Sequence, residues 1–251
     1  MKGHGLLDGK IVVVTAAAGT GIGSAVARRA LEEGASVVLS DRHERRLAET
    51  AAELGELGAV QPIACDVTDE GQVGDLITGA VSRFGRIDVL VNNAGLGGTR
   101  SVLEMTDEEW SRVLDVTLTG TFRCTRAALR QFADQGGGGA IVNNASVVGW
   151  RAQAGQAHYA AAKAGVMALT RCSALDAAGY GVRINAVAPS LARHPFLAKV
   201  TSEDLLRELE QREAFGRAAQ PWEVANVMIF LASDYAGYLT GEVVSVSSQH
   251  P

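Results

Sequence analysis

Tyr159 and Lys163 stand four residues apart, separated by Ala160, Ala161 and Ala162, and Ser146 precedes them at the end of an apolar stretch. On a helix, i and i+4 side chains share one face, and the three alanines favour helix. A tyrosine needs help to exchange protons near neutrality. Its ordinary pKa is about 10, so reaching about 7 takes roughly 4 kcal/mol of preference for the phenolate. A nearby ammonium favours the phenolate, and a serine hydroxyl would hold a substrate oxygen in line with the phenol. The chemistry is proton transfer at an oxygen atom. Alone, Tyr-x-x-x-Lys is a common helix-surface pair, so its setting decides its meaning.

That setting is a series of apolar, β-branched runs at 11–15, 36–40, 60–64, 87–91, 140–144, 183–187 and 242–246, alternating with helix-period stretches such as 25–33, 72–84 and 108–132. Strands alternating with helices imply βαβ units and a parallel sheet. The runs lack polar alternation, as expected where helices cover both faces. The expected fold is α/β, a Rossmann-like doubly wound sheet of seven parallel strands flanked by helices. A length of 251 residues suits one domain over 1–251. Four glycines at 136–139 suit a turn between a helix and a strand better than a linker, because the break is short. The segment 189–218 interrupts the alternation after a strand end, where such sheets bind ligands, and is a candidate substrate lid.

After the first strand come Thr15, three alanines, Gly19, Thr20, Gly21, Ile22 and Gly23, and then a helical pattern. Glycines allow a tight turn and close backbone approach to a pyrophosphate, and the helix start adds free N–H groups and the positive end of its dipole. The expected ligand is a dinucleotide. Asp41 ends the second strand, 18 residues beyond Gly23; a carboxylate there accepts hydrogen bonds from a ribose and repels a 2′-phosphate, which predicts NAD over NADP. It could instead cap the helix beginning near His43. Arg42, a neighbouring guanidinium, could accommodate a phosphate. Asp66, with Val67 after it, ends the third strand and could bind the adenine amino group or cap a turn. A positively charged nicotinamide ring would further favour a Tyr159 phenolate.

Composition excludes other classes. Lys plus Arg is 23 and Asp plus Glu is 28, a formal charge of −5 with no long basic run, which disfavours nucleic acid as a partner. No apolar stretch approaches the roughly 18 residues of a membrane span. The opening residues have no apolar signal core, so export is not expected. Cys65, Cys124 and Cys172 are few, odd in number and far apart, which suits a reducing cytoplasm. Five scattered histidines give no metal-ligand cluster, so no catalytic metal is expected.

From about Leu7 to Ser247 the chain resembles the short-chain dehydrogenase/reductase family. The likeness rests on the glycine turn, Asn92-Asn93-Ala94-Gly95 after the fourth strand, Ser146, Tyr159 with Lys163, and the late Thr240-Gly241. It implies a tetramer or dimer and hydride transfer between a nicotinamide ring and an alcohol or carbonyl carbon. By the same resemblance Tyr159 is the general acid/base, Ser146 orients the substrate oxygen, and Lys163 lowers the tyrosine pKa and holds the nicotinamide ribose. Asn93, Ala94 and Gly95 would line the adenosine side through their backbone. Four departures stand out. Ala16 replaces a glycine, with one extra residue before Gly21; Thr117 stands where the family has the asparagine of its proton relay. Pro189-Ser190 stands where Pro-Gly is common, with His194 where a threonine often holds the carboxamide. The ending is Ser247-Ser248-Gln249 instead of Asp-Gly-Gly.

A closer resemblance, carried by residues 4–10, 15–23, 143–146, 149–152 and 241–247, is to actinobacterial dehydrogenases of steroid breakdown. It implies oxidation of a ring hydroxyl on a coenzyme A thioester. Trp150 and Arg151 could then form a pocket wall and a carboxylate or phosphate clamp, or be a packed tryptophan beside a surface arginine. His194 could touch the cofactor or a CoA tail, or be solvated. His158 reads as structural. Two other functions stay open: a 3-ketoacyl-CoA/ACP reductase on linear chains with NADPH, and a non-catalytic dinucleotide sensor. Apolar faces at 108–132 and 154–178 would suit helix packing in a dimer, or face the core.

Overall fold

The computed structural model describes residues 3–193 and 203–248. Seven parallel strands form one sheet: β1 (Ile11–Val14), β2 (Ser36–Asp41), β3 (Val60–Ala64), β4 (Val89–Asn92), β5 (Gly139–Asn144), β6 (Val182–Pro189) and β7 (Val243–Val246). Their order is β3-β2-β1-β4-β5-β6-β7. The chain runs outward from β1 to β3, then returns to β4 on the other side of β1. Strand ends on either side of this reversal open the crevice where such sheets hold ligands.

Alternate strand residues enter opposite cores. Val12, Val14, Val37, Leu39, Val89, Val91 and Val142 join the cluster that includes Val26 and Met228. Val13, Val38, Leu90, Ile141 and Ile184 join the cluster that includes Leu76 and Phe132. The first is covered by α1 (Ile22–Glu32) together with Pro221–Ala232, the second by α3 (Glu70–Phe84) with Gly120–Gln135. Such two-sided burial explains the uninterrupted apolar runs. Between α1 and α3 lies α2 (Glu44–Leu54).

The stretch expected as one helix over 108–132 is broken. Helix α4 (Asp107–Leu114) opens with a capping box of Thr106 and Glu109. A π turn follows at Asp115–Thr119, and then α5 (Gly120–Gln135). Thr117 lies in the π turn, fully buried, and its hydroxyl meets the Leu96 backbone after β4. The Thr121 hydroxyl donates to the Thr117 carbonyl at 2.7 Å. Side-chain bonds of this kind compete with the helix ladder, and single π turns often mark functional sites. Gly136, Gly137 and Gly138 have φ of 69°, 84° and 75°. They form a turn joining α5 directly to β5.

Beyond β5 runs α6 (Ala157–Ala177), then, after β6, α7 (Glu203–Gln211) and α8 (Pro221–Ala232). A buried polar ladder fixes β4 and β5 against two helices. Asn92 Nδ2 donates to Thr125 Oγ1 on α5 (3.0 Å) and to Asn143 Oδ1 (2.8 Å). Asn143 Nδ2 donates to Thr170 Oγ1 on α6 (2.9 Å), and Thr170 in turn donates to the Val166 carbonyl. Removing one member strands buried partners. Asn143→Ala is expected to destabilise the protein by about 2–4 kcal/mol, read as a lower urea midpoint; an unchanged midpoint would show that the ladder holds nothing.

Candidate active site

The residues singled out for chemistry meet at the carboxyl end of the sheet. Ser146 follows β5 and begins the turn Val147–Gly149, its Oγ accepting from Val148 N at 3.3 Å; it is 7% exposed. Tyr159 is the third residue of α6, and Lys163 lies one turn further on the same face. The Lys163 Nζ is 5.6 Å from the centre of the Tyr159 ring. The Ser146 hydroxyl lies close enough to the Tyr159 phenol to act on its proton.

Burial works against charge on both members. It pushes the Tyr159 phenol up, with the Ser146 hydroxyl acting in the opposite direction. It lowers Lys163, which is 3% exposed, to about 8. The ammonium donates to the Asn144 carbonyl at 2.5 Å, at the end of β5. The loop after β4 lies close by: a Cβ at Gly95 would stand 3.4 Å from Lys163 Nζ, and one at Gly97 would stand 3.6 Å from the Tyr159 ring. Thr117 belongs to this neighbourhood, but its hydroxyl accepts from Leu96 N (3.0 Å) and donates to Leu96 O (3.2 Å).

The turn after β1 is built around its extra residue. Ala16 has φ +50°, the one non-glycine among the described residues with positive φ, and Gly19 has φ +93°. Three successive amides are engaged by neighbouring elements: Ala17 N by Ser40 O (2.9 Å), Ala18 N by Asp41 Oδ2 (3.3 Å) and Gly19 N by Thr50 Oγ1 on α2 (2.9 Å). Helix α1 starts at Ile22 with Gly21 as its uncapped N-cap, and added Cβ atoms at Gly19 and Gly21 would meet nothing within 4 Å. Open space before an uncapped helix start fits a pyrophosphate. At Gly23 a Cβ would fall 2.4 Å from the Ala16 carbonyl and 2.5 Å from Asn93 Nδ2, so only glycine allows α1 this close.

Asn93 clips the turn. Its Nδ2 donates to the Thr15 and Ala16 carbonyls at 3.2 and 3.0 Å. Thr15 Oγ1 accepts from Asn93 N and Ala94 N. Asp41 Oδ1 accepts from His43 N, so its carboxylate anchors the start of α2 as well as the turn. Asp66 closes a turn through Thr68 N and Oγ1, with the Arg42 guanidinium among the groups holding its pKa down against burial. Val67 is buried, and a Cβ on Gly120 would press to 2.6 Å from it. Sequence reading missed Thr50 and Asn144; their partners are 31 and 51 residues away, and no local pattern announces them.

On the substrate side, Trp150 is 51% exposed beside Arg151, just after Ser146. Pro189 ends β6 and is buried. Of the segment 189–218, His194 and the residues to 202 lie outside the described residues. On α7, Leu206 is buried, and Arg193 pairs with Glu203 and Glu210. Further on, Ala214 N donates to Ser248 O and the Ser248 hydroxyl to Glu213, so the chain's unusual ending meets the base of this segment. His158 is buried with Nδ1 unpartnered. Among the described residues no group of His, Cys, Asp or Glu is arranged to hold a metal ion.

The profile of the enoyl-(acyl carrier protein) reductase family matches residues 16–248. The chain belongs to the short-chain dehydrogenase/reductase family. It is 70% identical, over all of its length and 97% of the relative, to (5R,7aS)-5-hydroxy-7a-methyl-1-oxo-2,3,5,6,7,7a-hexahydro-1H-indene-carboxyl-CoA reductase of Mycobacterium tuberculosis. It is 39% identical to a 3-oxoacyl-[acyl-carrier-protein] reductase of Thermotoga maritima, over 96% of this chain and 97% of that one. A crystal structure of a short chain dehydrogenase from Mycobacterium smegmatis superposes with a TM-score of 0.90 at 62% identity, covering 100% of this chain and 97% of the other. The chain is thus a short-chain oxidoreductase whose fold implies a nicotinamide dinucleotide.

The buried ammonium carries a pH signature. Lys163 falls from 10.5 to about 8 in the fold, so between those values the unfolded chain binds the extra proton and stability rises with pH. Below about 8 both states are protonated and the contribution is flat. The stability of the wild type relative to Lys163→Met is therefore expected to grow by about 2–3 kcal/mol between pH 7 and 10, measured by urea unfolding. A constant difference would place the ammonium in water.

Proposed function

We propose that this protein interconverts a secondary alcohol and a ketone on a ring-containing acyl-CoA of the kind formed in steroid breakdown, using NAD(H). The observation that carries the reading is the full-length likeness to the hydroindene-carboxyl-CoA reductase. The bound nicotinamide would supply or accept the hydride. Tyr159 would donate its proton to the carbonyl oxygen in reduction and accept it in oxidation. Ser146, which stands beside that phenol, would hold the same oxygen. Lys163 would favour the phenolate and hold the nicotinamide ribose.

Gly19, Gly21, Ile22 and Gly23 would take the pyrophosphate, with Asn93, Ala94, Gly95 and Pro189 along the remainder of the cofactor. Asp41 would accept the adenosine ribose hydroxyls and disfavour a 2′-phosphate, with Arg42, Asp66 and Val67 around the adenine. Trp150, Arg151 and segment 189–218 would form the substrate side: an exposed aromatic wall, a guanidinium for CoA phosphates, and a lid. One domain over 1–251 and a reducing, cytoplasmic setting belong to the same reading.

A second copy of the chain is the proposed partner. An apolar groove of about 370 Å³ runs between α5 and α6, lined by residues including Phe122, Leu129, Leu169 and Tyr180. Arg126, Arg130 and Asp176 also line it. Two-fold pairing would set these opposite charges across one self-complementary face.

The deciding assay follows NAD reduction by absorbance with a ring-hydroxylated indane-type acyl-CoA and a linear 3-hydroxyacyl-CoA side by side. The ring substrate is expected to win. Preference for the linear one would favour the 3-ketoacyl reductase reading, which the Thermotoga relative supports. In the same assay Tyr159→Phe is expected to lose about 10²–10⁴-fold in kcat while NADH binding stays intact. Normal turnover would remove Tyr159 from the proton path.

A further inference from the structure

Asn144 is the last residue of β5, and its two polar ends reach opposite halves of the site. Its backbone carbonyl accepts the Lys163 ammonium at 2.5 Å. Its side-chain Nδ2 donates to Asn93 Oδ1 at 3.0 Å. Asn93 in turn donates to the carbonyls of Thr15 and Ala16, where the turn after β1 adopts its positive φ. Both Asn93 donor contacts fix which way its amide faces, so its oxygen must point at Asn144. A continuous path of hydrogen bonds therefore runs from the buried lysine to the pyrophosphate turn.

The Asn144 side chain comes at a cost. Its Oδ1 is buried with no hydrogen-bond partner. An unsatisfied buried acceptor is unfavourable, and an apolar side chain of similar shape would remove that penalty. A polar group that works against stability beside a reacting pair points to a role in function. Nor is Thr117 free to take such a role at Lys163, since its hydroxyl is engaged twice by Leu96.

We propose that Asn144 is a positioning residue that couples the dinucleotide-binding turn to the Tyr159–Lys163 pair. Through Asn93 it holds the Ala16 carbonyl, and with it the shape of the turn. Through its own carbonyl it holds the ammonium. A dinucleotide spanning both ends meets them in one fixed relation. The inference rests on the dinucleotide reading and is independent of which substrate is turned over.

The test is NADH affinity, read by fluorescence titration without substrate, for Asn144→Leu, Asn93→Ala and the double variant, with thermal melts of each. Asn144→Leu keeps the backbone carbonyl for Lys163 and removes only the amide. The NADH Kd is expected to rise about threefold or more in each single variant, and the double variant is expected to be no weaker than the weaker single, because both changes break one path. The unliganded Tm of Asn144→Leu should stay near the wild-type value, since the change removes the unpartnered Asn144 Oδ1 at the same time as it loses the Asn93 contact. A Kd change under about threefold, or effects that multiply in the double variant, overturns the proposal. Asn144→Ala gives the same reading should the leucine not fold. A wild-type protein that binds no NADH would instead remove the dinucleotide reading, and this inference with it.

Discussion

A lysine ammonium buried against a phenol is the constraint on which the rest of the structure depends. Burial pushes Lys163 down and Tyr159 up, so left alone the pair would drift toward two neutral groups. Several features resist that drift. The Asn144 carbonyl meets the ammonium directly. Tyr159 sits in the first turn of α6, where the helix dipole favours negative charge. The Ser146 hydroxyl acts on the phenol against the effect of burial. Each of these requires the end of β5 and the start of α6 to keep a fixed relation. The Asn92–Asn143–Thr170 ladder supplies that rigidity by tying β5 to α6 a little further from the site.

The second constraint is the long turn after β1. An added residue would ordinarily widen the loop and loosen its amides. Here Ser40, Asp41 and Thr50 take up three successive N–H groups, leaving the start of α1 as the open end. Asp41 is thus both a candidate ribose ligand and a brace for the turn and for His43. Removing its carboxylate would change the shape of the turn, and under the proposed reading the cofactor preference with it. A change of cofactor preference at this position therefore has to preserve an acceptor for Ala18, which simple truncation does not.

Much of this was legible in sequence, for reasons that also explain what was not. Inner parallel strands buried on both faces appear as apolar, β-branched runs, and the half-exposed edge strands β3 and β7 were found from their place in the alternation, with ends shifted by up to two residues. The 87–91 run begins early because Ile87 is as apolar as the strand, while Asp88 turns its carboxylate to Ile11 N ahead of β4. The π turn was invisible because helical periodicity continues through it, and the Thr117–Leu96 contact made from it spans 21 residues. Ser146, Tyr159 and Lys163 stood out because helical spacing and strand-end position are local properties. Thr50 and Asn144 did not, because each acts through a distant backbone or side chain. His194 lies outside the described residues.

Three of the departures from the family pattern share one physical feature: each is engaged in a contact of its own. Ala16 adopts the positive φ that a glycine would adopt freely, and its carbonyl is held by Asn93. Thr117 is shorter than the family's asparagine and turns to Leu96, within the same loop that carries Gly95 toward Lys163. Ser248, where the family has glycine, reaches Glu213 and Ala214 at the base of segment 189–218. A family template would score all three as losses. In this fold they are bonds that tie together the parts around a short-chain oxidoreductase site: turn, loop and segment edge. Because the reacting residues themselves are common to the family, what sets this site apart lies in how those parts are held.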